Sequence, residues 1–157
     1  GSQPNVEDAE ERFSKRKIDR SCDVPKGGKP INERILNPLE IPADVRIYRY
    51  AAHTGRMIVD EDTCPPELVR KARNTIRELN LNAPRLMRMR REAVMMLEDE
   101  IENALAAGED MEEFLNVLAE SFLLPDDNGN CQAFFSLIRW FLGPAAENVL
   151  SKYGYAI

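Results

Sequence analysis

Arginine is the residue type whose number and spacing in this sequence point most directly to a binding function. Residues 65–91 contain eight basic residues and two acidic ones, and seven of the eight are arginine. A guanidinium group is planar and donates paired hydrogen bonds, so it recognises phosphates and carboxylates better than lysine does. Helical spacing places six of these arginines in two rows, one on each of two successive predicted helices: Arg70, Arg73, Arg77, Arg85, Arg88 and Arg91.

The sign of the charge reverses directly after this basic segment. Residues 92–138 contain twelve acidic residues and no lysine or arginine. The reversal lies inside the second of the two helices, which therefore has cations near its N-terminus and anions toward its C-terminus. This order opposes the helix dipole, at a cost of roughly a few tenths of a kcal/mol for each charge. Either neighbouring helices of the same fold pair with these charges or an external partner does, and both interpretations stay open.

Residue sets typical of catalysis or of metal binding are missing from the sequence. His53 is the only histidine, and Cys22, Cys64 and Cys131 do not have the spacing of zinc ligands. No serine or cysteine stands in a recognisable nucleophile motif. We therefore expect no enzymatic activity, no metal site and no cofactor.

Composition indicates an intracellular protein, cytoplasmic or nuclear. Three widely spaced cysteines do not form a disulfide framework and are typical of a reducing compartment. The sequence has no run of about eighteen uninterrupted apolar residues that could span a membrane, so we expect no membrane partner. The net charge of −6 disfavours a surface that coats polyanions as a whole, but it permits a local basic face.

Several large apolar residues are candidates for an interface rather than for the core. Methionine side chains are flexible and polarisable, so a methionine-rich helix adapts well to a partner, and tryptophan and tyrosine often anchor interfaces. Core filling explains the same residues and remains an alternative. The hydrophobic interface candidates are Met87, Met95, Met96, Trp140 and Tyr153.

The elements that carry these residues follow from apolar periodicity. The spacing predicts an all-α fold, a bundle of about five helices, with Asn82 as the cap of the second. Before the bundle, residues 46–59 alternate polar and apolar side chains around Gly55, which predicts a short β-hairpin. The predicted helices cover residues 65–80, 83–107, 109–124, 130–142 and 145–153.

Residues 1–45 are predicted to form a flexible or extended N-terminal arm, and residues 46–157 a helical domain. Gly1 and Ser2 have the sequence of a tag remnant. The arm contains five of the ten prolines and few large apolar residues, so it cannot bury enough surface to form a core. Its later part, residues 31–41, is expected to lie as a strap over the surface of the domain.

Two functional hypotheses follow. The first is a non-enzymatic protein–protein interaction or adaptor module, with self-association as one form of it. The alternative is a regulatory nucleic-acid-binding domain that uses the arginine rows on helices 65–80 and 83–107, although these helices lack aromatic residues for base stacking. The surroundings of the arginines discriminate between them, because a continuous positive face favours nucleic acid and neutralised arginines favour a protein partner.

Overall fold

The structure, a computed structural model, describes residues 34–37, 41, 45–126, 129–130 and 132–154. Within these residues a β-hairpin precedes five α-helices, which confirms the predicted small helical bundle with a short hairpin. The rest of the predicted arm and residues 155–157 lie outside the described residues. The elements are β1 (Tyr48–Ala51), β2 (Arg56–Val59), α1 (Pro66–Glu78), α2 (Pro84–Ala107), α3 (Met111–Leu123), α4 (Phe135–Leu142) and α5 (Pro144–Lys152).

The hairpin has one buried and one exposed face. Strands β1 and β2 pair antiparallel, and alternate side chains point to opposite faces. Tyr50 is therefore buried on the inner face, whereas Arg49 is exposed on the outer one. The chain reverses at Gly55, which has a φ of +68° and donates its N–H to the carbonyl oxygen of Ala51 at 2.8 Å. Because an isolated two-stranded hairpin is only marginally stable, its packing on the helices must hold it.

Two contacts fix the hairpin to α2 and to the loop before it. The turn approaches α2 so closely that a β-carbon at Gly55 would lie 2.0 Å from the carbonyl oxygen of Met87. The side chain of Asn82 pairs with the backbone of Met57 in β2, donating to its oxygen and accepting from its N–H, both at 2.8 Å. The predicted role of Asn82 as a helix cap was wrong, because Ala83 holds the cap position and the amide side chain is used by the strand.

A first apolar cluster lies between the hairpin and α1. The segment 34–37, which belongs to the predicted strap, is attached there by two hydrogen bonds. The backbone N–H of Leu36 donates to Oγ1 of Thr75 at 2.9 Å, and Nδ2 of Asn74 donates to the oxygen of Arg34 at 3.2 Å. The buried members of this cluster are Leu36, Ile47, Val59, Cys64 and Ala72.

A second and larger cluster joins α2 to the last three helices. Helix α3 packs against α4 and α5, and α2 adds Leu97 and Ile101 from one side only. None of the helices formed by the described residues combines the length and apolarity needed to cross a lipid bilayer. The buried members of this cluster are Leu97, Leu118, Ala119, Leu123, Ile138, Leu142, Ala146, Val149 and Leu150.

Helix α4 is shorter than predicted. It begins at Phe135, not near Asn130. The N–H of Asn130 donates to the carboxylate of Asp126 at 2.8 Å, which forms a local turn in place of a first helical turn. Phe134 then has a φ of +63°, a left-handed conformation that cannot continue a helix.

Gly55→Ala is expected to lower the free energy of unfolding by about 2–4 kcal/mol, because left-handed strain adds to a steric clash with α2. Gly108→Ala is the matched control. Gly108 has a φ of +73° but nothing within 4 Å of an added β-carbon, so only the strain of about 1 kcal/mol applies. Urea unfolding followed by circular dichroism measures both. Equal losses would contradict the close contact between the turn and α2.

Candidate interaction surfaces

Helix α2 contributes to the fold with one side only. Along that side Val94, Leu97 and Ala104 are buried. The opposite side is exposed, and Met95 and Met96 keep 46% and 44% of their accessible surface. The middle of the longest helix therefore presents two adjacent apolar side chains outward, at positions where the fold itself uses neither.

Charged residues flank these methionines in a fixed order. Arg88 and Arg91 precede Met95 by seven and four residues, and Asp99 and Glu102 follow it by four and seven. Helical spacing puts them on one stripe with Met95, and all of them are exposed. We call this surface the α2 face, which consists of Arg88, Arg91, Met95, Met96, Asp99 and Glu102.

The ion pairs that Arg73 and Arg77 form do not involve the acidic segment. Arg73 forms an ion pair with Glu61, and Arg77 pairs with Glu78, its immediate neighbour, at 3.1 Å. Neither partner belongs to residues 92–138. Among the residues that the structure describes, Arg70, Arg88 and Arg91 have no ion pair within 4.0 Å. Ion pairs among the described residues thus neutralise only part of the positive charge on α1 and α2.

Helices α1 and α2 do not pack extensively against each other, whereas β2 contacts both. The outer face of the hairpin adds two exposed arginines, Arg49 and Arg56. Arg49 lies opposite Ile58, and Arg56 lies opposite Ala51, which is two residues after Arg49 on β1. The two arginines are therefore diagonal neighbours on one face of the hairpin. Sequence reasoning missed both, although the alternation of Arg49 with Tyr48 and Tyr50 was a visible signal.

A groove of about 380 Å³ runs between the outer face of the hairpin and α1. Arg49, Arg56 and Arg73 line it, together with Glu61 and Ile58. We call it the basic groove. The ion pair between Arg73 and Glu61 cancels one of its three positive charges, which leaves Arg49 and Arg56 available to an anionic ligand.

Arg90 lies between the exposed arginines of α2 but has a different role. It is buried, and its Nη1 donates to the carbonyl oxygens of Leu81 at 2.8 Å and Gly55 at 3.3 Å. Its guanidinium carbon lies 5.7 Å from the centre of the Tyr50 ring. Burial raises the pKa of Tyr50 above its usual value, and its hydroxyl forms a hydrogen bond of 2.9 Å with Ser136. The ring that meets Arg90 is therefore neutral.

The position of Arg90 was readable in part from its spacing. It precedes Val94 by four residues and Leu97 by seven, so it falls on the buried side of α2, unlike Arg88 and Arg91. Within the described part of the chain, no buried side-chain nitrogen or oxygen lacks a hydrogen-bond partner. Arg90 is thus a structural residue that joins the hairpin to α2.

The remaining interface candidates lie apart from the α2 face. Met87 is half-buried beneath the hairpin turn. Trp140 is half-buried, with its ring 5.8 Å from that of Tyr50, and it lines an apolar groove of about 210 Å³ beside β1. Tyr153 is exposed at the end of α5, where Nζ of Lys152 lies 5.1 Å from its ring.

The rim of the apolar groove is only partly neutralised. Arg46 and Arg139 both pair with Glu147, at 2.6 and 2.8 Å. The hydrogen bond from Arg139 is the main cause that lowers the pKa of Glu147. One carboxylate offsets only one of the two guanidinium charges, so one positive charge remains at this rim.

Comparison with known proteins leaves the function to be inferred from these surfaces. No protein-family model matches the chain, and no curated protein matches it. Among the described residues, no group of three or more histidine, cysteine, aspartate or glutamate side chains is arranged to hold a metal ion.

Arg90→Met is expected to reduce the free energy of unfolding by about 2–4 kcal/mol, because hydrogen bonds from a charged donor are lost and two carbonyl oxygens lose that partner. Arg91→Met, one position along the same helix, changes it by about 0.5 kcal/mol or less, as for an exposed side chain. Unfolding of both variants in guanidinium chloride measures the difference in their free energies of unfolding. A similar small effect for both would show that Arg90 does not hold the hairpin.

Proposed function

We propose that this chain is a non-enzymatic protein-interaction module and that the α2 face is its docking surface. The observation that carries the proposal is the pair of exposed methionines, Met95 and Met96, in the centre of a face whose two ends have opposite charge. Interfaces commonly have such an arrangement, with an apolar centre inside a polar rim.

The charges support a protein partner in particular. A polyanion would bind Arg88 and Arg91 but would be repelled by Asp99 and Glu102 on the same stripe. A protein surface can present both signs, and complementary charge gives specificity and a faster encounter. The α2 face therefore fits a partner with its own bipolar surface.

A photo-reactive benzoylphenylalanine at position 96 of the full chain, irradiated in cells, is expected to yield a covalent adduct with another protein chain. Position 117 is the matched control, because Val117 on α3 is 55% exposed but lies outside the α2 face. Adding Arg88→Glu and Arg91→Asp is expected to reduce the adduct at position 96 at least about threefold, since the charges guide docking. Equal yields at positions 96 and 117 would contradict the proposal.

A second candidate function, regulatory binding of nucleic acid, is supported by the basic groove. Arg49 and Arg56 have no ion pair among the described residues. Arg70 is also without one on α1, the helix that forms the other wall of this groove. Diagonal neighbours on a strand face start about 7–8 Å apart at the backbone, and two long arginine side chains at that spacing can reach successive phosphates.

Arg49→Gln with Arg56→Gln is expected to weaken binding of a labelled RNA or DNA duplex, because two phosphate contacts are lost. In fluorescence anisotropy titrations over a range of salt, the slope of log K against log salt falls in magnitude by about two. Lys152→Gln, at the far end of α5, is the control and leaves the slope unchanged. Binding that is absent, or that responds equally to the control, would rule out this second function.

A further inference from the structure

We infer that the partner of the α2 face is a second copy of this chain, docked antiparallel about a two-fold axis that passes beside Met95. This inference rests on the proposed function and names its partner. It follows from the order of charges along α2 and from the helix dipole.

Four charges of the α2 face are placed symmetrically about Met95 with opposite signs, whereas the exposed Glu92 and Glu98, three residues before and after it, have the same sign. Arg91 and Asp99 lie four residues before and after it, about 6 Å along the helix axis in each direction. Arg88 and Glu102 lie seven residues away, about 10 Å in each direction. A two-fold rotation therefore brings Arg91 opposite Asp99 of the second copy, and Arg88 opposite Glu102. Each pair occurs twice, as in any isologous interface. In a two-fold pair, the four complementary contacts outnumber the two like-charged contacts between Glu92 and Glu98.

The apolar centre fits the same axis. Met95 of one copy meets Met95 of the other, with Met96 beside them. Methionine side chains adjust to a symmetric contact without a fixed rotamer, which suits a residue that faces its own copy. The two α2 helices complement each other only over residues 88–102, and the ion pairs between them are exposed. The dimer is therefore expected to be weak and to dissociate as the salt concentration rises.

The antiparallel orientation also removes the conflict between the charges of α2 and its dipole. Within one copy, Arg88 and Arg91 lie one to two turns inside the positive end of the helix, where the dipole disfavours cations only weakly. In an antiparallel pair, the negative end of the other helix lies beside that half, together with Asp99 and Glu102. A parallel pair would place like charges opposite each other and leave the conflict unrelieved.

Sedimentation velocity of the purified chain, from about 1 to 300 µM, is expected to show a monomer–dimer equilibrium that shifts toward monomer with salt. Arg88→Glu with Arg91→Asp makes the α2 face wholly acidic, so the dissociation constant rises at least about tenfold. The helix dipole favours acidic residues toward the N-terminus, so these changes are not expected to destabilise α2. An unchanged unfolding midpoint shows that the variant still folds.

A full exchange tests the orientation without changing the net charge. It combines Arg88→Glu, Arg91→Asp, Asp99→Arg and Glu102→Arg. The exchanged chain is expected to dimerise with itself within about threefold of the original affinity, but not with the unchanged chain, because like charges then face each other. In a parallel pair the exchanged and unchanged chains would instead prefer each other.

Three results would overturn the inference: a strict monomer at every concentration, a dimer that the acidic variant leaves intact, or a mixed dimer of exchanged and unchanged chains. A strict monomer whose position 96 still crosslinks to a different protein would leave the proposed function standing and remove only the second copy as its partner.

Discussion

The buried guanidinium of Arg90 connects parts of the chain that otherwise make few contacts. It donates to the turn of the hairpin at Gly55 and to the loop before α2 at Leu81, and it faces the ring of Tyr50. A buried charge is tolerated only where hydrogen bonds replace water, and the carbonyl oxygens of Gly55 and Leu81 supply such bonds here. One side chain thus holds both the hairpin turn and the preceding loop in place against α2.

That arrangement separates structural charge from available charge. Arg90 points inward from α2, while Arg88 and Arg91, two residues before it and one after it, point outward. Residues 45–91 hold eleven basic and five acidic residues, and residues 92–138 hold twelve acidic residues and no basic ones. Local pairs such as Arg73 with Glu61 leave this imbalance unchanged, because both residues lie within residues 45–91. The fold therefore keeps its charge segregated, although repulsion among like charges opposes compactness.

Much of the fold was predictable from the sequence because its signals are local. Apolar periodicity predicted the helices, and the alternation around Gly55 predicted the hairpin. The prediction was wrong where a side chain has a long-range role, as for Asn82, whose amide bonds to β2 instead of capping α2. The start of α4 was also misplaced, because the turn at Asp126 and the left-handed Phe134 interrupt an apolar run that reads as helical.

The candidate site was predictable only in part for the same reason. The charge reversal at Arg91 is a property of the sequence, but which arginine points inward depends on what α2 packs against. Arg90 belongs to the same basic run as Arg88 and differs from it only in its position around the helix. Likewise, the sequence proposed Met95 and Met96 as interface candidates but left core filling as an alternative, which is ruled out only by the burial of Val94 and Leu97 on the other side of α2.

The division of the core into clusters has a consequence for how the molecule opens. The cluster between α1 and the hairpin shares no buried residue with the cluster of α2–α5, and a small third cluster of Tyr50, Val94 and Leu137 lies between them. Cooperative units of exchange generally follow such boundaries. Backbone amides of α1 are thus expected to exchange with solvent by a local opening that leaves the helical cluster closed. The α2 face can then persist while the wall of the basic groove detaches, so the two surfaces need not be lost together.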